Sequence, residues 1–572
     1  MPVVAVLFAT LLTSTATRYG YHRDELYFLA AGRHLDWAYS DQPLITPLLA
    51  RAMSAIDADS LLLLRVPAIL AATLVVVCAG LMARELGGGR GAQTLAAAAV
   101  ASAALLMGAG HTLSTVVFDL ATWAVICLLM LKLLRGNPVP ASEGAPPAPN
   151  SGGGTEREGA DRVARVRREG DESGGEGSAG RVVAGRWRRR VGRVERTGGE
   201  SGRGDGAGRG DAGRWGRLVG SRLSDGGDRS VPGAARWWLV IGVVVGIGLE
   251  NKFLLIFPAA ALLVSLLLVG PRKVFATKYF PASIGIAVAL WLPWLWWQAR
   301  NGWPQLELSR AIAGGSSGTS NSPIMFVLLQ FGLMGPLLVP LWVFGWWRLW
   351  RESRYRAVAL SYVVLFVLFA VTSGKAYYLG NMYPILLAAG SVPVAAWAGR
   401  RRIRSAAVGS VVTVNAVLGA LLFLPVLPVA TLKDSPVLAV NYDAGETVGW
   451  PEFAREIGEV RAKLGADVAI LTANYGEAGA IERYGAPYNL PTPHSGHNSY
   501  WWWGPPSDTA SVVIAVGIPR ERLAHLFADI EAAGRIDNGR ALDNDEQGRP
   551  IFLCRAPRAP WSELWAQVKH LS

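Results

Sequence analysis

The chain has 572 residues, of which 51% are hydrophobic and only 17% charged, a balance that places it among integral membrane proteins. Its 22 tryptophans suit a membrane interface, and its three cysteines, Cys78, Cys127 and Cys554, give neither a disulfide framework nor a zinc spacing. The net charge of +13 does not point to nucleic acid, because Arg and Lys gather in loops between apolar runs and in one low-complexity insert.

Apolar runs of roughly 17 to 25 residues, the length that crosses the hydrocarbon layer, occur near 2–17, 61–83, 92–108, 117–134, 237–249, 253–269, 280–297, 324–347, 357–372, 384–399 and 406–428, several of them short. They predict about eleven transmembrane helices. The first begins at Met1 with no basic leader and no small-residue cleavage site, so it reads as a spanning segment whose start is open to truncation, not as a signal peptide. Alternate connections carry Arg84 and Arg90, the Arg-rich insert, Arg272 with Lys273 and Lys278, Arg348 with Arg351, Arg354 and Arg356, and Arg400 to Arg404. The positive-inside bias makes these connections cytoplasmic. A multi-pass plasma-membrane protein follows, with its N-terminus cytoplasmic and its C-terminal region extracytoplasmic.

Residues 1–136 thus hold the first helices and an outer loop, and residues 236–429 hold the rest of the helices. Between them, residues 137–235 are dominated by Gly, Arg, Ser, Asp and Glu, a composition that cannot bury enough apolar surface to offset ordering. A disordered cytoplasmic insert is expected there. Its RGD, RGR and RWRRR pieces offer an RNA-binding tail as the alternative, against which its interleaved acids speak. Residues 430–572 turn soluble in character, with helical patterns at 451–464 and 519–533 alternating with strand-like runs at 467–473, 511–517 and 551–556. A small α/β domain outside the membrane is predicted.

The stretch GYHRDELYFLAAGRHLDWAYSDQP, residues 20–43, crowds charges directly behind the first apolar run. Short amphipathic helices along the outer membrane face are expected there. Asp24 and Glu25 then have two readings. They complement a helix dipole in its first turn, or a partly desolvated carboxylate at the membrane boundary takes a proton from an incoming hydroxyl. Further ionisable groups fall at span ends on the same side: His111 and Asp119, Glu250 and Lys252, and Lys375. Such residues are costly in a bilayer and usually face a cavity; a structural salt bridge is the alternative for each, and several acids and bases on one face favour a site.

These pieces carry a family resemblance. RDELYF followed by YSDQPLITP resembles the first outer loop of the GT-C membrane glycosyltransferases, specifically family 39, which includes protein O-mannosyltransferases and the aminoarabinose transferases of lipid A. The likeness extends to GLENKFLLIFPA, WWQARNGWPQLELSRA, SGKAYYLGNMYPILLAAG, NYGEAGAIERYG and SGHNSYWWWGPP. It implies a GT-C fold and transfer of a sugar from a polyprenyl phosphate in the outer leaflet to a hydroxyl, with inversion at the anomeric carbon. It implies Asp24 as the base with Glu25 beside it, Asp119 as a second acid that binds sugar hydroxyls or a metal, and a cell-envelope glycan, lipid or protein as acceptor; Asp41 reads as a sugar or a structural contact. Lys375, Arg300, His111 and Lys252 are the candidate phosphate ligands. Glu250, Tyr377, His497 and Trp502 complete the candidate sugar or acceptor contacts. Gln42 departs from the lipid A enzymes, which carry a lysine in that segment, so another cation substitutes or the donor is held differently. No cofactor is firmly implied; a divalent metal is left open at Asp119, without a His-rich ligand spacing to support it.

The run from His494 to Trp503 has two readings, an aromatic acceptor platform or a dock onto the membrane core, and NYGEAG can be only a strand-to-helix turn. A transporter or flippase of lipid-linked sugars is the principal alternative function. It is disfavoured by the absence of an internal sequence repeat and by charges clustered at one membrane face. A non-catalytic sensor would leave the first-loop acids unexplained.

Overall fold

The computed structural model describes residues 1–136, 233–313, 322–465 and 468–571. The expected insert lies outside the described residues except at its last three positions. Each of the eleven apolar stretches contains a helix: α1 Pro2–Thr15, α4 Leu61–Glu85, the pair α5 Arg90–Ala101 and α6 Ala104–His111, α7 Thr115–Arg135, α8 Trp237–Leu249, α9 Ile256–Val269, α10 Tyr279–Arg300, the pair α12 Pro323–Leu333 and α13 Val339–Arg351, α14 Arg356–Val371, α15 Tyr383–Ala398 and α16 Arg402–Phe423. Among the described residues five helices are long and apolar enough to cross a membrane, or up to seven if each bent pair is one span, with five shorter apolar helices beside them. The chain is a multi-pass helical membrane protein. Leu70, Leu268, Leu292 and Val371 are more than half exposed, as lipid-facing side chains are.

Two spans are broken, α5–α6 by 62° and α12–α13 by 82°. A break in a span frees backbone carbonyls that hydrocarbon cannot satisfy. One side chain answers both: Asn415 of α16, 3% exposed, donates to the Ser102 carbonyl at 2.8 Å and to the Met334 carbonyl at 3.1 Å. Gly335 makes the second turn with φ +89, and a Cβ there would collide with the Asn415 amide.

The loop between α1 and α4 carries α2 Arg23–Arg33 and α3 Ile45–Ile56. His22 and Glu25 form a capping box at the start of α2, which fixes where that helix begins. α2 is largely enclosed by protein. Glu25, Leu26, Tyr27, Phe28, Ala30, Ala31 and Gly32 are all buried: Leu26, Tyr27, Phe28 and Ala30 pack with the C-terminal domain, Glu25 against Arg65 and Gly32 against α3.

That domain holds a five-stranded sheet of β1 Ala469–Thr472, β2 Pro493–Ser495, β3 Val512–Val516, β4 Phe527–Arg535 and β5 Pro550–Pro557, in the order β2-β1-β3-β5-β4. β1 is parallel to β2 and β3, while β5 is antiparallel to β3 and β4. The helix expected over 519–533 stops at Leu526, and the chain continues as strand β4. Its Ala and Glu favour helix, but ladder bonds to β5 along the sheet edge override that preference. The helix Tyr475–Tyr484 packs on α2 so closely that a Cβ on Gly479 would lie 2.9 Å from the Leu26 carbonyl carbon.

Candidate active site

The loop and the domain are joined by polar contacts around Asp24. Arg23 pairs with Asp545 at 2.7 Å, Arg33 with Glu482, and Arg483 with Asp59 at 2.8 Å. Asn474 caps the helix Tyr475–Tyr484, reciprocated by Glu477, and this places the Tyr475 ring at the loop. The Tyr475 hydroxyl donates to Asp24 Oδ1 at 2.8 Å, and its ring stacks on Tyr27 at 4.6 Å.

Asp24 stands where two cavities meet. The first, about 430 Å³, is lined by Asp41, Gln42, Lys252, Gln305 and Asn498 at its polar end and by Phe253, Leu254, Phe257, Leu368 and Phe369 elsewhere. The second, about 650 Å³, runs past His22, Arg23, His111 and Asp443 to an apolar wall of Leu105, Leu329, Leu333, Leu418 and Leu422. Asp24, Lys375, Tyr377 and Tyr475 line both. Asp24 thus faces whatever occupies either space.

Charge in the first cavity is balanced but desolvated. Burial pulls the Lys252 ammonium down to about 8, with Asp119 and Asp24 opposing that fall and Lys375 adding to it. Burial lowers Lys375 as well, against the pull of Asp24. Lys252 Nζ also sits over the Tyr377 ring at 4.9 Å. An anion entering here would restore both ammonium groups. Asp41 is pushed up to about 6 by burial, and its Oδ1 accepts from Tyr27 at 2.7 Å.

Of the residues expected from sequence, Asp24, Asp41, Lys252, Lys375 and Tyr377 come together. His111 lines the second cavity, 3.4 Å from Arg65 Nη1, and so is not with the two lysines in the first. Others are corrected. Glu25 faces away from Asp24: it is fully buried and its oxygens accept from Arg65, His22 N and Leu113 N at 2.7–2.9 Å. Arg300 is exposed over the Trp296 ring and lines neither cavity. Glu250 accepts from Trp294 N at 3.4 Å, its backbone carbonyl accepts from Ile45 N, and it too lines neither. Asp119 lies behind the wall, holding Asn381 Nδ2 at 2.9 Å and acting on Lys252 through space. His497 stacks between Tyr475 and His570 and supports Tyr475 rather than reaching a cavity.

The tryptophan run is a dock. Trp503 stacks on His34 at 4.5 Å, Trp502 lies 6.2 Å from Trp297, and Trp501 exchanges indole-to-carbonyl bonds of 2.9 Å with Trp565. Sequence reasoning missed Tyr475, Arg65 and Gln305 as site or supporting residues, whereas Asn498 lies in the run read as an acceptor platform or a dock. A charge inside the apolar run LLLLRVPAIL was the available signal for Arg65. Among the described residues no group of three or more His, Cys, Asp or Glu side chains is placed to hold a metal ion.

No family profile and no curated protein matches the sequence. Among solved structures, the chain superposes on ArnT from Cupriavidus metallidurans bound to undecaprenyl phosphate with a TM-score of 0.54 and 14% identity, covering 96% of this chain and 97% of that one. The same protein in its apo state gives a TM-score of 0.55 at 14% identity, with the same coverage. The chain has a GT-C fold. That likeness spans both the helical part and the sheet-bearing domain, so the GT-C helices and the C-terminal domain form one shared architecture, as expected from the sequence.

Proposed function

We propose that this GT-C chain is a membrane glycosyltransferase that moves a sugar from a polyprenyl-phosphate carrier to a hydroxyl acceptor at the outer face of the membrane, with inversion at the anomeric carbon. The observation that carries the reading is the meeting of two cavities at Asp24. ArnT, which shares the fold, was solved with undecaprenyl phosphate bound. The first cavity offers the surfaces a lipid-linked sugar needs: phenylalanine and leucine walls for the prenyl chain, two ammonium groups for the phosphate, and an amide-rich end for the sugar. The second receives the acceptor. Asp24 takes the acceptor proton as the hydroxyl oxygen attacks the anomeric carbon. The bond from that carbon to the phosphate oxygen breaks, and the phosphate leaves with the electron pair, held by Lys252 and Lys375. Phosphate is already a good leaving group, so no paired general acid is needed.

In this reading the basic loops face the cytoplasm, residues 1–136 and 236–429 carry the catalytic helices, and residues from 430 onward form an outer cover that supplies Tyr475. The test is transfer by the purified full chain from undecaprenyl phosphate bearing a radiolabelled sugar to a cell-envelope extract. Label in the acceptor with release of undecaprenyl phosphate supports the proposal. Label that crosses the bilayer still on its lipid identifies a flippase instead.

Two further outcomes follow from the geometry. Tyr475→Phe removes a hydrogen bond to a charged acceptor, a class worth about 1.5–3 kcal/mol, so turnover falls roughly tenfold or more with donor affinity retained. Unchanged turnover would make Tyr475 only a packing residue. The second concerns pH. Lys252 has its folded-state pKa near 8, and a bound phosphate needs it charged, so binding above that pH must take up a proton. A sugar phosphodiester does not titrate near neutrality; its affinity is therefore flat up to about pH 7.5 and falls by up to about tenfold per pH unit well above pH 8. Lys252→Met flattens that profile, and a wild-type affinity constant to about pH 9.5 would contradict the assignment.

A further inference from the structure

We infer that the polar end of the first cavity is a subsite for a neutral, hydroxyl-bearing sugar, selected by the side-chain amides of Gln42 and Gln305. The inference rests on the reading of that cavity as the place of a lipid-linked sugar. Both glutamines line the cavity and each is 5% exposed. Each also keeps one buried amide atom with no hydrogen-bond partner, the Nε2 donor of Gln42 and the Oε1 acceptor of Gln305. Burying an unsatisfied donor or acceptor is costly, and a ligand that brings both functions to these two cavity-lining side chains would relieve that cost.

The wall is built, not incidental. Tyr39 N donates to the Gln42 carbonyl at 2.9 Å, closing the turn that presents Gln42. Gln298, fully buried, then ties that turn to the first turn of α11, Pro304–Ala313: its Nε2 donates to the Tyr39 carbonyl at 3.1 Å and its Oε1 accepts from Gln305 N at 3.1 Å. The backbone turns that carry Gln42 and Gln305 are therefore tied together by the Gln298 amide.

The pair matches hydroxyls, because each hydroxyl both donates and accepts. An ammonium brings donors only and can answer Gln305 Oε1 but not Gln42 Nε2, so an amino sugar has one group fewer with which to match the pair. Nor is Asp41 a free counter-ion for an amino sugar. Its Oδ1 accepts from Tyr27 at 2.7 Å and from the Ser40 and Ser499 hydroxyls at 3.4 Å, and its Oδ2 accepts from Asn498 at 3.4 Å.

The test is equilibrium binding of the purified full chain to undecaprenyl phosphate, bare or carrying mannose, glucose, galactose, arabinose or 4-amino-4-deoxyarabinose. A neutral-sugar lipid is expected to bind most tightly, roughly tenfold better than the bare lipid. Gln42→Met and Gln305→Met each remove most of that gain and leave bare-lipid affinity unchanged, which also shows the variants to be folded. The inference is overturned if the amino sugar binds best, if no sugar improves on the bare lipid, or if the variants weaken bare and sugar-bearing lipids alike. Failure of the wild type to bind any of these lipids would instead overturn the lipid-phosphate reading on which the inference rests.

Discussion

Asp24→Asn is expected to slow sugar transfer by about 10²–10⁴-fold, the usual contribution of a placed general base. The substitution keeps the shape of the side chain. Its backbone N still donates to His22 Nδ1, found at 3.2 Å, so the start of α2 is preserved. The amide oxygen still accepts from the Tyr475 hydroxyl, so the domain stays docked. Only the ability to take a proton is lost. Single-turnover transfer measured beside equilibrium donor binding separates the two effects: the rate collapses while the donor still binds. A well-inserted variant with full activity would mean that another group takes the acceptor proton.

Glu25→Gln, one residue along, is expected to fail differently, by loss of folded protein. Glu25 and Arg65 are both fully buried. Arg65 donates to Glu25 through Nε at 2.8 Å and Nη2 at 2.7 Å, and also to the Ala16 and Gly20 carbonyls, binding the end of α1 to the first loop. Removing one partner strands a buried charge at a cost of about 3–5 kcal/mol, against a total stability of about 5–15 kcal/mol for a typical domain. The expected result is a sharp fall in monodisperse protein on size exclusion and a lowered unfolding temperature in whatever survives. Normal yield and stability together with lost transfer would return Glu25 to the chemistry.

The two neighbours point to different surroundings, Asp24 to both cavities and Glu25 to Arg65. Adjacent residues on a helix point about 100° apart, so one carboxylate can face a cavity while the next faces the packed interior. The sequence pattern located the charges behind the first span, and family likeness singled out Asp24. Neither says which way Glu25 turns. The helices were legible because crossing a bilayer demands long apolar runs, whereas the bends at Ser102 and Met334 were not, since they depend on one distant amide, Asn415. β4 was misread because FADIEAAGR favours helix locally and only its pairing with β5 makes it a strand. Tyr475 and Gln305 were missed for the same reason: they reach the site from segments 451 and 281 positions beyond Asp24, and no local spacing records that. Lys252 and Lys375 both line the first cavity, and a charge at a span end is rare enough to mark one.

In the proposed reaction a lipid phosphate lies between two lysines, within reach of the carboxylate at which two cavities meet. The most direct measurement is a cryo-electron microscopy map of the full chain with undecaprenyl phosphate. The expected map has phosphate density against Lys252 and Lys375 in the first cavity, with the prenyl chain along Phe253, Phe257 and Phe369 and the second cavity left for the acceptor. Phosphate density in the second cavity beside His22, Arg23 and His111 would contradict the assignment of donor and acceptor, and with it the role given to Lys252.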